Sequence, residues 1–155
     1  MSWPRDDAKL DRVRALMADR ELDALVVRAP DNVLYLTDYW CMKGYDIAVF
    51  PREGEPTLVV LEPQAEEAER SWAGELRLFA GYDPGDPRPP LARAVATAQE
   101  LVRERGYERI GLELSLGTQA SDVMVGEPTT YTHDFFHSFG EAGATLGYVP
   151  WVGGG

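Results

Sequence analysis

The sequence of 155 residues has a single cysteine, Cys41, and no long apolar run. One cysteine cannot form an internal disulfide, which excludes a disulfide-stapled domain and favours a reducing compartment. A bilayer-spanning helix needs about 20 consecutive apolar residues, and no segment approaches that length. The opening residues MSWPRDDAKL are polar and acidic, unlike the apolar centre of a signal peptide. We therefore expect a soluble cytoplasmic protein without a membrane partner.

Basic residues are also scarce, since 15 Lys and Arg stand against 26 Asp and Glu, a formal net charge of −11. Such a field repels phosphate backbones, and no cluster of Lys or Arg interrupts it. Nucleic acid is therefore not an expected partner. Hydrophobic residues make up 45% of the chain, which is enough for a packed core and argues against disorder.

The spacing of apolar residues predicts alternating helices and strands. Helical spacing predicts long helices over residues 6–20 and 91–106, the first with Asp6 or Asp7 as its cap and with a buried face formed by Leu10, Val13, Leu16 and Met17. Short apolar runs predict five strands, with a possible sixth, at residues 24–27, 47–50, 57–61, 76–80, 110–114 and 145–149. The turn at residues 52–56 makes the second and third strands a hairpin. The fold class is therefore a single α/β domain with a mixed five- to six-stranded sheet flanked by helices.

Two shorter helices are expected between these elements. Pro30 is predicted to lie in a turn, where Asp31 or Asn32 caps one or two helical turns. Pro63 suits the first turn of a second short helix, which is expected to end near Trp72. The polar stretch at residues 115–132 is ambiguous, with a short helix possible at residues 118–125.

The most specific feature is the order of several short motifs. They are LDALVV at residues 22–27, PDNVLYLT at 30–37, VFP at 49–51 and IGLE at 110–113. Their order and spacing resemble the amino-terminal domain of the creatinase, prolidase and aminopeptidase P (Xaa-Pro peptidase) family, over about residues 6–114.

The resemblance implies a non-catalytic role for this chain. In that family a larger C-terminal "pita-bread" domain carries two Asp, one His and two Glu that hold a metal pair, and creatinase uses the same fold without metal. Those motifs are missing here, and GYVPWVGGG stands where the family has a linking helix. We expect a family-like domain at residues 1–147, followed by a tail at 148–155 left by truncation or cloning.

The resemblance also implies partners. It predicts a homodimer and a missing C-terminal catalytic domain that acts on a small peptide or amidine. No cofactor is expected in this chain, whereas a divalent metal (Mn, Co or Zn) is expected in the missing domain. By analogy, the loop DYWCMKGYD at residues 38–46 helps to shape a substrate pocket, with Tyr39, Trp40, Lys43 and Tyr45 at its rim. The alternative is that the loop's aromatic residues only pack beneath it or form a dimer contact.

A second hypothesis is a self-contained metal hydrolase. His133 and His137 are spaced to share one helical face, and Glu141 lies one turn further, which imitates the His-Glu-x-x-His zinc motif. Asp134 is shorter than the glutamate of that motif, and Gly140 weakens a helix before Glu141. A surface pair of histidines is therefore the favoured interpretation. A third hypothesis is a pure assembly module without substrate contact.

Two nucleophile candidates have little support. Ser115 or Ser121 could be combined with Asp122 and His133, but no nucleophile elbow accompanies them. Cys41 has no neighbouring motif that would activate it, and we expect an unreactive thiol.

Overall fold

The computed structural model describes residues 3–41 and 45–113, together with the backbone of residues 148–149. The elements in chain order are α1 (Asp7–Asp19), β1 (Ala24–Val27), α2 (Pro30–Thr37), β2 (Ile47–Pro51), β3 (Thr57–Leu61), a 3-10 turn (Glu62–Gln64), α3 (Ala65–Ala68), β4 (Glu75–Phe79), α4 (Pro90–Arg105), β5 (Ile110–Glu113) and β6 (Tyr148–Val149). The predicted α/β domain is confirmed, and Asp6 caps α1 by accepting a hydrogen bond from the backbone N–H of Lys9.

The strands form one mixed sheet in the order β4-β3-β2-β1-β5-β6. The β2–β3 hairpin is antiparallel, as predicted, and β2 is also antiparallel to β1. The pairs β1–β5, β3–β4 and β5–β6 are parallel. Tyr148 and Val149 pair with the end of β5, within the range 145–149 predicted as a possible sixth strand.

Both faces of the sheet are covered by helices, which makes β1 buried along its whole length. Side chains alternate across a strand. Leu25 and Val27 therefore join the apolar cluster beneath α1 and α2, whereas Ala24 and Val26 join the cluster beneath α4. The end of β1 lies between these two layers, and the chain enters α2 from there.

Leu16 departs from the prediction for the first helix. Leu10, Val13 and Met17 are buried as expected, but Leu16 is 48% exposed, so its assignment to the buried face is wrong. Successive residues of an α-helix are about 100° apart, which turns Leu16 well away from Met17.

The start of α2 also differs from the prediction. The helix begins at Pro30, with Ala29 as its N-cap and no side chain as a cap, so Asp31 and Asn32 lie inside the first turn. The prediction that either residue caps the helix is wrong. Proline is well suited to this first position because its missing N–H would have no partner within the helix.

The helix predicted from Pro63 to about Trp72 is shorter than expected. It consists of a 3-10 turn followed by the single turn of α3. The backbone N–H of Trp72 instead donates to the carbonyl of Thr37 at 2.7 Å, at the end of α2. A contact distant in the sequence therefore replaces continued helix at this point.

Candidate functional site

The candidate site is the connection from α2 to β2, residues 38–46, of which residues 42–44 lie outside the described part. It begins at Asp38, which ends α2 in the left-handed conformation with φ 56°. Aspartate adopts this conformation more readily than most residues. The chain therefore turns sharply after α2 and leads directly into Tyr39 and Trp40.

The position of α2 depends on Glu113, the last residue of β5. One carboxylate oxygen, Oε1, accepts hydrogen bonds from the backbone N–H groups of Arg28 and Ala29 at 2.7 and 2.5 Å. The other, Oε2, accepts from the side-chain amide of Asn32 at 2.7 Å. A side chain from a neighbouring strand thus fixes the chain where it passes from β1 into α2.

The Glu113 carboxylate is only 5% exposed. Burial raises the pKa of Glu113, and its three hydrogen-bond donors partly oppose that shift. A buried carboxylate is costly unless it is hydrogen-bonded, so these donors are needed to keep the group in place.

Asn32 is 3% exposed, and its Oδ1 atom has no hydrogen-bond partner. The amide group is used only through its nitrogen, which faces Glu113. A rotation of the amide by half a turn would exchange the donor for the acceptor at this contact.

Beyond α2, Tyr39 is anchored inside the domain and is 2% exposed. Its hydroxyl donates to Asp46 Oδ2 at 2.7 Å, and the other oxygen of Asp46 accepts from the backbone N–H of Leu61 at 2.9 Å. The hydroxyl also lies 3.1 Å from Gln64 Oε1, but its single proton goes to the closer, charged partner. Burial raises the pKa of both Tyr39 and Asp46.

Trp40 differs from its neighbours because it is 52% exposed, while Tyr39 and Cys41 are buried. Tyr45 is partly buried against the cluster beneath α4. Lys43 lies outside the described residues. Of the predicted rim residues that the structure describes, Trp40 is therefore the one that presents a large aromatic surface to solvent.

The thiol of Cys41 is 1% exposed, and burial raises its pKa to about 12. Cys41 is therefore protonated at neutral pH, and a thiol in that state is a poor nucleophile.

The residues of the alternative hypotheses, His133, His137, Glu141, Ser115 and Ser121, lie outside the described part of the chain. Within residues 3–41 and 45–113, no group of three or more His, Cys, Asp or Glu side chains is arranged to hold a metal ion. None of the helices described there is long and apolar enough to cross a membrane.

Two carboxylates organise this region without having been predicted from the sequence, Glu113 and Asp46. Glu113 ends an apolar strand, and Asp46 directly precedes one. An acidic residue at the edge of a buried strand is the signal that could have pointed to them, since such residues are seldom fully buried unless they are paired.

The comparisons with known proteins agree with this fold. The profile of the creatinase/prolidase N-terminal domain matches residues 9–123. That range is more than half of the 155 residues, and the chain belongs to this family. A search of curated proteins finds no match.

Several solved structures share the fold. A proline dipeptidase from Streptococcus agalactiae 2603V superposes with a TM-score of 0.67 at 14% identity, over 97% of this chain and 99% of that chain. The N-terminal domain of the cytoplasmic peptidase PepQ from Mycobacterium tuberculosis H37Rv superposes with a TM-score of 0.62 at 16% identity, over 94% of this chain and 95% of that chain. A dipeptidase from Pyrococcus horikoshii OT3 gives 0.61 at 15% identity, over 94% of this chain but 34% of that chain.

The Glu113 contacts lead to a prediction about stability. Replacing Glu113 by Ala removes the acceptor of the buried Ala29 N–H and of the buried Asn32 amide, as well as that of the part-buried Arg28 N–H. Each buried group left unsatisfied costs about 1–3 kcal/mol. Glu113→Gln should be much milder, because its Oε1 can accept from the backbone while its amide donates to a rotated Asn32. Urea unfolding of the three proteins checks this order.

The same variants have a predicted pH dependence. Because burial raises the folded-state pKa of Glu113 above 4.5, its stabilising contribution is fully present below that value and decreases as the pH rises through the folded-state pKa. The stability of the wild type relative to Glu113→Gln should therefore decrease from about pH 4.5 upward. Two results would contradict the role assigned to Glu113. One is equal destabilisation by Glu113→Ala and Glu113→Gln, and the other is a stability difference between the wild type and Glu113→Gln that increases with pH.

Proposed function

We propose that this chain serves as the non-catalytic N-terminal domain of a larger hydrolase of the creatinase and Xaa-Pro peptidase kind. The observation that carries the proposal is the family match over residues 9–123. It is supported by the alignment with the Pyrococcus dipeptidase, in which this domain corresponds to 34% of a longer chain.

In this proposal the domain helps to form a homodimer and supplies part of the rim of a substrate site. The reacting groups, and any divalent Mn, Co or Zn ion, belong to a C-terminal catalytic domain. A rim built by a neighbouring domain narrows the entrance to the site. Small peptides or amidines can then reach the reacting groups, whereas folded proteins cannot.

Trp40 is the described residue best suited to the rim. It is 52% exposed, while Tyr39 before it is buried and hydrogen-bonded to Asp46. The backbone at Trp40 is therefore fixed on one side, and the indole is exposed to solvent. Contact with a substrate would then cost little backbone conformational entropy. Tyr39 and Tyr45 act in this proposal by supporting the loop, and Lys43 remains a candidate contact for a substrate carboxylate.

We further propose that the complete enzyme works in the cytoplasm. The single cysteine of this chain is buried as a free thiol, which suits a reducing environment. The PepQ relative is described as a cytoplasmic peptidase.

The first test is whether this chain has activity alone. Purified protein is incubated with Xaa-Pro dipeptides and with creatine, each in the presence of Mn²⁺, Co²⁺ or Zn²⁺. We expect the same background as for the His137→Ala variant, because the catalytic groups lie in another domain. Metal-dependent turnover that disappears in His137→Ala would contradict the proposal and favour the metal hydrolase with His133, His137 and Glu141.

The second test separates a substrate rim from a pure assembly module, and it uses a complete enzyme that carries this domain. Trp40→Ala should lower kcat/KM by about five- to thirtyfold, which corresponds to about 1–2 kcal/mol. The change is expected mainly in KM, because the indole contacts bound substrate in the ground state and the transition state alike.

Tyr82→Ala is the matched control, because Tyr82 is 83% exposed and lies in a different loop. It should leave kcat/KM within about twofold of the wild type, as surface changes usually do. If Trp40→Ala and Tyr82→Ala have the same kcat/KM for each substrate, Trp40 does not contribute to a substrate rim. A change in sedimentation of Trp40→Ala with unchanged kinetics would instead identify an assembly contact.

A further inference from the structure

A second region of the surface forms an open pocket. A pocket of about 340 Å³ opens between the N-terminal segment, α1, α2 and the turn before β4. Its aromatic walls are Trp3, Tyr35 and Trp72, with Leu34 beside them. Ligand pockets are usually about 300–1,000 Å³ and mostly apolar, so this one is large enough for a compact organic molecule.

The pocket already holds a cation of the protein itself. The ammonium of Lys9 lies 4.3 Å from the ring centre of Tyr35 and 4.5 Å from that of Trp72. Both distances are within the range of about 6 Å over which an aromatic face attracts a positive charge. The aromatic faces of the pocket are therefore suited to a cation.

Acidic groups add to this preference. Asp31 and Asp38 line the same pocket, so two carboxylates share it with the single ammonium of Lys9. Asp38 Oδ2 accepts a hydrogen bond from the backbone N–H of Trp3 at 2.9 Å. The side chain of Asp31 is exposed and forms no ion pair or hydrogen bond in the described part of the chain. A positively charged group entering the pocket thus finds an uncommitted carboxylate.

The apolar wall is fixed in place although it is exposed. The backbone of Trp3 is held at both ends, by its N–H bond to Asp38 and by its carbonyl, which accepts from Trp72 Nε1 at 3.0 Å. Its side chain is nevertheless 76% exposed, and Leu34 is 38% exposed. A ligand that covers these groups gains apolar contact and does not have to order the Trp3 backbone first.

We propose that this pocket binds small amphipathic amines. The ammonium lies at the carboxylates of Asp31 and Asp38, and the apolar part of the ligand covers the Trp3 indole and Leu34. The proposal is independent of the domain's role in a hydrolase, because it needs neither Trp40 nor a catalytic domain.

The test compares three probes that share a benzyl group and differ in charge. The full chain is titrated with benzylamine, benzyl alcohol and phenylacetate, and the indole N–H signals are followed in ¹H–¹⁵N spectra. Benzylamine should shift the Trp3 and Trp72 signals in a saturable way, benzyl alcohol should bind more weakly, and phenylacetate should not bind. Absence of saturable benzylamine binding, or equal binding of phenylacetate, would overturn the proposal.

Two variants test the placement of charge. Asp31→Asn should weaken benzylamine binding by about two- to fivefold, as expected for loss of an exposed ion pair. Asp19→Asn removes an exposed carboxylate of α1 that does not line the pocket, and it should leave the affinity unchanged. Equal effects of the two variants would show that only the net charge of the chain matters, which contradicts a site.

Lys9→Met distinguishes an amine site from a site in which Lys9 binds an anion. It keeps an apolar stem between Tyr35 and Trp72 and removes the resident cation, so benzylamine should bind at least about twofold more tightly. Loss of benzylamine binding in a folded Lys9→Met protein, with circular dichroism unchanged, would contradict the proposal. Tighter phenylacetate binding to the wild type than to Lys9→Met would instead identify Lys9 as an anion contact.

Discussion

One buried carboxylate organises the central part of this domain. Glu113, at the end of β5, accepts hydrogen bonds from the two backbone N–H groups that directly follow β1 and from the side chain of Asn32 in α2. The parallel pairing of β1 and β5 brings these groups to the same edge of the sheet. Since a buried charge is tolerated only with such partners, the position of α2 and the charge of Glu113 depend on each other.

The position of α2 affects both the proposed substrate rim and the pocket around Lys9. At its C-terminal end, α2 leads through Asp38 to the anchored Tyr39 and the exposed Trp40. Along its outer side it contributes Leu34 and Tyr35 to the pocket around Lys9. The same short helix therefore supports the proposed substrate rim and the proposed amine site, and its eight residues depend on tertiary contacts because isolated helices of that length are unstable in water.

Much of the fold could be predicted from the sequence, because short apolar runs indicate strands and an apolar spacing of three to four residues indicates long helices. The antiparallel hairpin followed from a short turn between two apolar runs, and the family assignment from the order of motifs. The start of α2 could not be predicted in this way. Asn32 is a residue type that often caps a helix locally, but its hydrogen-bond partner Glu113 is 81 residues away. At Asn32 the contact with Glu113 outweighs the local preference of asparagine for a capping position.

The candidate site was predictable to a similar extent. An aromatic loop between two elements identified Trp40, but the sequence did not reveal that Tyr39 is drawn inward by Asp46. Residues that lie together on one sequence segment can face opposite directions, and burial depends on partners from elsewhere in the chain. Charge counts likewise gave the overall acidity without indicating that Lys9 lies between two aromatic rings.

Amide hydrogen exchange at Arg28 and Ala29 tests the role of Glu113 most directly. Both amides should exchange slowly in the wild type, because each donates to the buried carboxylate. In Glu113→Ala these two amides and the first turn of α2 should exchange much faster, while amides in the middle of α4 remain protected. Fast exchange in the wild type, or unchanged protection in the variant, would contradict the account.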